Sequence, residues 1–172
     1  MRARLAIASD HGGLELKRCL VDYLEAQGYE VLNLGTDSPE SVDYPDFAEK
    51  LCQAILDGEA DRGILLCGTG IGMSITANKC KGIYAALCTN EFMARMSREH
   101  NDSNVLCLGG RVLGDEAAKG IVEVWLNTPF AGGRHSRRTA KIKAIEGRTL
   151  RNDVLSAGHL RRLTVCPQPT ND

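Results

Sequence analysis

A cysteine beside a glycine-rich turn is the residue of this sequence best suited to chemistry. Cys67 ends an apolar run and is followed by Gly68-Thr69-Gly70-Ile71-Gly72. Three glycines in five residues allow backbone amides to face a bound oxyanion where a helix is expected to begin. Because the amino terminus of a helix favours the thiolate, Cys67 is a candidate base or nucleophile. The alternative is a tight packing turn between a strand and a helix.

This glycine-rich turn differs from the common nucleotide-binding loops. No Gly-Lys-Ser/Thr follows it, and Met73 stands where a Gly-x-Gly-x-x-Gly motif needs its third glycine. Glu91 does follow at about the spacing of 20 residues that the dinucleotide motif requires. A nucleotide-binding function is therefore weakened but stays open.

Two polar turns offer acid–base groups. Asp10 and His11 follow the first apolar run, where they could orient a hydroxyl or neutralise a phosphate. The alternative is that Asp10 caps a helix and His11 is an exposed turn residue. His100 and Asn101 precede the last apolar run. His100 is a candidate acid–base group or a solvated side chain, and Asn101 could hold a substrate hydroxyl.

Arginines provide candidate phosphate ligands. Arg111 follows a Gly-Gly turn, and Arg134 and Arg138 are spaced i, i+4, so they share one face of a predicted helix. Two guanidinium groups on one face suit a dianionic phosphate. On geometry alone Arg137 could replace Arg138, and the alternative for the whole cluster is a solvated basic face.

One aromatic side chain stands at a predicted helix start. Tyr44 is followed by Pro45, and proline is favoured in the first turn of a helix. Tyr44 is a candidate sugar contact, with a packing role as the alternative.

Short apolar runs that alternate with helical repeats must position these residues. Strands are predicted over 5–9, 30–34, 63–67, 83–88 and 105–108, and helical spacing covers 16–24, 47–55, 72–79, 91–99, 114–126 and 135–146. This alternation predicts a Rossmann-like, doubly wound α/β sandwich with a five-stranded parallel sheet. Ligands of such sheets bind beyond the carboxyl ends of the strands, so the candidate residues are expected to meet there.

Length and charge bound the domain organisation. The 172 residues, 43% hydrophobic, suit a single domain over 1–146. The apolar pattern then weakens, which predicts a basic C-terminal extension over 147–172 that is partly ordered or helical. Residues from 131 onward carry nine Lys and Arg against three Asp and Glu, but no aromatic side chain that could stack on a base. No nucleic-acid partner is predicted.

Composition also bears on location and metals. No apolar run approaches the length of a membrane span, and the first apolar stretch is too short for a signal peptide. The seven cysteines include no Cys-x-x-Cys pair, which disfavours a disulfide framework and a zinc site. A cytoplasmic protein without metal or cofactor and without membrane association is predicted.

The candidate residues together suit proton abstraction next to a carbonyl of a phosphorylated small molecule, with the amides of the glycine-rich turn stabilising an enediolate. Several motifs occur in one order along residues 3–146. They are Ser9-Asp10-His11-Gly12-Gly13, Asp43-Tyr44-Pro45, the turn from Cys67 to Gly72, Ala77-Asn78-Lys79, His100-Asn101-Asp102, Gly110-Arg111 and Gly132-Gly133-Arg134-His135. As a set they resemble the ribose-5-phosphate isomerase B family, which also includes galactose-6-phosphate isomerase subunits.

The resemblance implies interconversion of ribose 5-phosphate and ribulose 5-phosphate without metal or cofactor. It implies that Cys67 moves a proton between C2 and C1, that His100 opens the furanose ring, and that residues 68–72 hold the enediolate with help from Thr69. It implies that the sugar and its phosphate are bound by Asp10, His11, Asn101, Arg111, Arg134 and Arg138. It also implies a homodimer, or a tetramer, whose sites are shared between subunits.

Three alternatives remain. The same chemistry would serve a hexose 6-phosphate such as galactose 6-phosphate or allose 6-phosphate. A non-catalytic sugar-phosphate or nucleotide-binding module would use the same cradle without turnover. A thiol-redox protein is disfavoured, because Cys67 has no resolving cysteine nearby in sequence.

Overall fold

The computed structural model describes residues 3–150 and contains one parallel sheet. The strands are β1 (Leu5–Ser9), β2 (Val31–Asn33), β3 (Arg62–Cys67), β4 (Ala85–Leu87) and β5 (Val105–Gly109). Their order across the sheet is β2-β1-β3-β5-β4, and every neighbouring pair is parallel. The predicted doubly wound α/β sheet of five parallel strands is therefore confirmed.

Residues 3–150 form six α-helices. They are α1 (Leu14–Ala26), α2 (Tyr44–Leu56), α3 (Ile71–Ala77), α4 (Glu91–Asn101), α5 (Asp115–Asn127) and α6 (Arg134–Thr149). Of these, α6 packs against α4 and the other five cover the two faces of the sheet. Side chains of α1, α4 and α5 join the apolar core on one face, and those of α2 and α3 join the core on the other. None of these described helices is long and apolar enough to span a membrane.

The ends of several elements differ from the predicted ones. β4 is shorter than the predicted 83–88, and α4 continues two residues past 99 to Asn101. α6 runs through Thr149, so residues 147–149 of the predicted extension are helical. The remainder of that extension, from 151 to 172, lies outside the described residues.

A buried lysine connects α1 to the loop after β2 through hydrogen bonds. The side chain of Lys17 is fully buried, and its ammonium donates to Asn33 Oδ1 at 3.0 Å, to the Thr36 carbonyl at 2.7 Å and to Asp37 Oδ1 at 2.8 Å. The hydrogen bond and the charge of Lys17 lower the pKa of Asp37 from its ordinary value. A buried charge is tolerated only when it is paired in this way, so these contacts fix the start of the loop.

A side chain occupies the open edge of the edge strand β4 at one residue. Asn78 Nδ2 donates to the Ala85 carbonyl and the Ala85 N–H donates to Asn78 Oδ1, both at 2.9 Å. The amide of Asn78 thus satisfies both backbone groups of a residue on the open side of the sheet.

Candidate active site

The glycine-rich turn after β3 holds Cys67 at the carboxyl edge of the sheet. Cys67 is the last residue of β3 and is 5% exposed. The Gly70 N–H donates to Cys67 Sγ at 3.1 Å. A hydrogen bond to a charged acceptor is roughly twice as strong as one to a neutral acceptor, so this donor is well placed to hold a thiolate.

Gly70 has to be a glycine for this donor to be in place. Its φ is +78°, in the left-handed region that favours glycine. A Cβ there would lie 2.6 Å from Leu87 Cδ1 and 2.9 Å from the carbonyl carbon of Leu108. Both the backbone angle and the lack of space therefore set the shape of the turn beside the thiol.

The turns after β1, β3 and β5 touch each other through backbone atoms. A Cβ on Gly12 would lie 2.9 Å from the Gly68 nitrogen, and a Cβ on Gly110 would lie 2.7 Å from the Gly12 carbonyl oxygen. The Arg111 side chain lies over Gly68, because its Cδ, Nε and Cζ are 3.4–3.6 Å from the position of a Cβ there. The structure thus brings Arg111 to the turn that follows Cys67.

Asp10 and His11 belong to the same edge. Asp10 is 6% exposed, and its Oδ1 accepts hydrogen bonds from the N–H groups of Gly12 at 2.8 Å and Gly13 at 3.2 Å. Asp10 therefore caps the turn that follows β1, which is the alternative given for it from the sequence. The Val42 N–H donates to His11 Nδ1 at 3.2 Å, which leaves Nε2 to carry the hydrogen of the neutral ring.

Tyr44 contacts the turn from the neighbouring helix. It is the first residue of α2, and a Cβ on Gly72 would lie 2.7 Å from Cε2 and Cζ of its ring. The ring covers Gly72 while 39% of the residue stays exposed. Tyr44 is thus packed on the turn and is also accessible to a ligand at its rim.

The other candidate residues lie at the opposite edge of the sheet. His100 and Asn101 end α4, just before β5 begins at Val105, whereas Cys67 is paired with Gly109 at the far end of that strand. The four steps from Val105 to Gly109 span about 13 Å. The expectation that all candidates meet at the carboxyl edge is therefore wrong for His100 and Asn101. The reason is that each crossover helix carries the chain back to the amino edge before the next parallel strand.

A second histidine joins His100 at this amino edge. The rings of His100 and His135 are stacked, with centroids 4.1 Å apart and planes 6° from parallel. His135 is 7% exposed, and the Nε–H of Arg134 donates to its Nε2 at 3.4 Å. The Ala131 N–H donates to the Glu99 carbonyl at 3.0 Å and ties the start of α6 to the end of α4.

Because α6 begins beside the end of α4, its arginines lie with His100 and His135 at the amino edge of the sheet. The expectation that these arginines lie at the carboxyl edge is therefore wrong. Burial lowers the pKa of His135, and the positive charges of His100, Arg134 and Arg138 lower it further. Arg138, which the sequence left equivalent to Arg137, is thus close enough to His135 for its charge to affect the pKa of that ring. An electropositive group at the first turn of a helix suits a bound anion.

Sequence reasoning did not assign a role to His135. His135 belongs to the motif around Arg134, and a histidine next to arginines is ordinarily expected to be exposed to solvent. The sequence offers no periodic signal for it, because the side of α6 that faces α4 is set by how the two helices pack.

The remaining described cysteines have a different environment. Burial raises the pKa of Cys88 to about 11 and raises the pKa of Cys107 well above its ordinary value. The same desolvation raises the pKa of Cys19, Cys52 and Cys80. These five thiols are free and stay protonated at neutral pH, which suits core packing. Cys166 lies outside the described residues.

The candidate residues thus form two separate groups, one at each edge of the sheet. The carboxyl-edge group has a thiol, a glycine-rich turn and Arg111; the amino-edge group has an imidazole and two arginines. Within residues 3–150, no cluster of three or more His, Cys, Asp or Glu side chains could hold a metal ion. Proton transfer on an anionic substrate is the chemistry that these groups can perform together.

Known proteins resemble the chain over most of its length. The model of the Ribose/Galactose Isomerase family matches residues 5–142. Ribose-5-phosphate isomerase B of Escherichia coli (strain K12) is 48% identical over 145 residues, which are 84% of this chain and 97% of that protein. A solved structure of ribose-5-phosphate isomerase B from Clostridium thermocellum has a TM-score of 0.83 at 56% identity, over 84% of this chain and 98% of the other. The corresponding Thermotoga maritima structure has a TM-score of 0.82 at 56% identity and covers 84% and 99%.

Proposed function

Because the chain belongs to the ribose/galactose isomerase family and is a sugar-phosphate isomerase, we propose that it interconverts D-ribose 5-phosphate and D-ribulose 5-phosphate. The pentose is favoured because the relatives named above are ribose-5-phosphate isomerases B. The reaction moves one proton between C2 and C1 and passes through an enediolate, with no metal or cofactor.

Cys67 is the base in this proposal. Its thiolate removes the proton from C2 of the open-chain aldose, and the electron pair forms the C1–C2 double bond while charge collects on O1. The thiol then returns the proton to C1, and the proton on O2 moves to O1 to leave the ketone. Thr69 and the amides of Gly68, Ile71 and Gly72 hold the two oxygens, because donors aimed at a developing charge lower the barrier. The Gly70 N–H donates to Cys67 Sγ and supports the thiolate.

His100 opens the furanose ring before isomerisation. Its imidazole accepts the proton of the C1 hydroxyl as the bond from C1 to the ring oxygen breaks, and it returns a proton to the ring oxygen. Asp10, Asn101 and Tyr44 are proposed to contact the sugar. His11, Arg111, Arg134 and Arg138 are proposed to bind the phosphate through charge-assisted hydrogen bonds.

The position of Cys67 and His100 at opposite edges of one sheet is the observation that carries the shared-site proposal. Because about 13 Å of strand separates their levels, we do not propose that one chain closes on a five-carbon sugar with both groups. A homodimer related by a twofold axis would set the carboxyl edge of one subunit against the amino edge of the other and form two equal sites. The exposed Ile71, Ile75 and Val112 flank the carboxyl-edge group and are suited to such an interface. A tetramer built from two such dimers fits the same arrangement.

The test is steady-state isomerisation of ribose 5-phosphate beside allose 6-phosphate and galactose 6-phosphate, without added metal. We expect kcat/KM to be highest for the pentose. Preference for a hexose would keep the mechanism and change the substrate. An absence of turnover on all three would contradict the proposal and leave a binding module.

A further inference from the structure

We propose that His135 is a positioning residue that holds the ring of His100 in its working orientation. The inference rests on the proposed function, in which His100 opens the sugar ring. It assigns a role to a side chain that does not itself need to touch the substrate.

The stacked geometry is the first observation. The two imidazoles are 4.1 Å apart and 6° from parallel, so one face of the His100 ring is covered. His100 lies in the last turn of α4 and is half-buried. Covering one face restricts the rotamers of the ring and leaves its edge, which carries both nitrogens, for proton transfer.

His135 itself is fixed in place. It is 7% exposed and lies in the first turn of α6, whose start is tied to α4 through the Ala131 and Glu99 backbones. Arg134 Nε donates to its Nε2 at 3.4 Å, whereas its Nδ1 is buried without a hydrogen-bond partner among the described residues. Neither nitrogen is therefore free to exchange a proton with a substrate.

Burial and the charges around His135 favour the neutral form of its ring. Burial lowers its pKa most, followed by the positive charges of His100, Arg134 and Arg138, while Glu99 acts in the opposite direction. A neutral neighbour lets His100 gain and lose a proton without placing two imidazolium ions face to face. The structure thus assigns the flat ring of His135, rather than its nitrogens, as the part that matters.

Two reactions distinguish a specific loss of ring opening, which the positioning role predicts, from a general loss of activity. Turnover of ribose 5-phosphate, which is mainly a furanose, requires ring opening. Exchange of the C1 proton of ribulose 5-phosphate with deuterium oxide, followed by proton NMR, requires only the Cys67 step. Ribulose 5-phosphate stays open because the hydroxyl that would close the ring carries the phosphate.

His135→Leu keeps apolar bulk without a flat ring. We expect it to lower kcat on ribose 5-phosphate by about three- to tenfold, the size of one lost aromatic contact. Proton exchange on ribulose 5-phosphate should stay within about twofold of wild type. His135→Phe keeps the stacking face and should restore both reactions to within about twofold. Ser136→Ala, an exposed neighbour on α6, is the matched control.

Each contrary outcome has a distinct meaning. If wild type catalyses neither reaction, the proposed function fails. If wild type is active but His135→Phe is as impaired as His135→Leu, the nitrogens matter and the positioning role is wrong. Equal losses in both reactions, or a rise in KM alone, would point to displaced α6 arginines and would also overturn the proposal. Should His135→Leu not fold, His135→Gln, which also lacks a ring face, carries the same expectation.

Discussion

Cys67 and His100 lie at opposite edges of the same parallel sheet. Cys67 ends β3 level with Gly109, and His100 lies before Val105, where β5 begins. The strand between these levels is about 13 Å long. In the proposed function the base and the ring-opening acid come from two different chains, and this proposal can be tested directly.

Mixing two inactive variants is expected to restore activity. Cys67→Ala lacks the base and His100→Asn lacks the ring-opening group, but a mixed dimer keeps one site with both. Random exchange of subunits should return about a quarter of wild-type turnover on ribose 5-phosphate, because half of the dimers are mixed and each has one intact site. The measurement is kcat per subunit after denaturation and joint refolding of equal amounts. Absence of any recovery would show that each chain forms its own site.

Replacing Cys67 should abolish proton transfer while leaving substrate binding intact. We expect Cys67→Ala to lower kcat by about a thousandfold, because the base that removes the C2 proton is missing. The affinity for a sugar-phosphate inhibitor should change by no more than about threefold, since phosphate contacts persist. Cys80→Ser, a change at a partly exposed thiol, is the control and should keep normal turnover. Near-normal turnover of Cys67→Ala would contradict the assigned base.

Removing an α6 arginine should weaken phosphate binding. Loss of a charge-assisted hydrogen bond costs about 1.5–3 kcal/mol, so Arg134→Ala should raise KM by about ten- to a hundredfold. Arg138→Ala should act in the same direction, because its charge reaches the same cluster. Arg148→Ala, which removes an exposed arginine near the end of α6, should leave KM unchanged. An unchanged KM in Arg134→Ala would place the phosphate elsewhere.

Two glycines with the same backbone angle should respond differently to alanine. Gly70 has φ +78° and Gly58 has φ +76°, but only Gly70 is crowded, by Leu87 and Leu108. Gly58→Ala should cost about 1 kcal/mol for the left-handed angle, whereas Gly70→Ala should cost about 1–3 kcal/mol more because backbone must shift. Urea denaturation compares the two free energies of unfolding. Equal costs would show that the turn beside Cys67 can relax around a methyl group.

The contact between Lys17 and Asp37 should make stability depend on pH. Lys17 lowers the pKa of Asp37, so the contribution of this pair is present above the ordinary carboxyl pKa of about 3.9 and is lost as pH falls through the lower folded value. Asp37 is largely exposed, and solvent screening limits the cost of Asp37→Asn at pH 7 to about 1 kcal/mol. The difference from wild type in urea denaturation should shrink steadily as pH falls below about 4. Asp22→Asn, which removes an exposed carboxylate from α1, should show no such trend.

The sequence predicted the sheet well because strands buried on both faces form continuous apolar runs. β1 was predicted with its observed bounds, and the prediction for β3 differs by a single residue. The position of Cys67 followed directly, since it is the last residue of such a run. Lys17 was missed because lysine is ordinarily exposed, although it shares the helical spacing of Leu20 and Leu24 on the buried face of α1.

The position of the histidines and of the α6 arginines at the amino edge could not be predicted in the same way. The stacking of His135 on His100 depends on how α6 packs against α4, and both histidines lie in polar segments without periodic signal. The charge and spacing of Arg134 and Arg138 indicated an anion site, but not the edge of the sheet at which it lies.

The amide of Asn78 has a consequence for how copies of the chain can associate. By exchanging two hydrogen bonds with Ala85 it occupies the place of a sixth strand at that position of the sheet. A further chain cannot add to β4 there without displacing it, so continuous intermolecular sheets are disfavoured along this edge. Assembly is thereby directed away from open-ended polymers and toward side-chain surfaces, which can close with a defined number of copies.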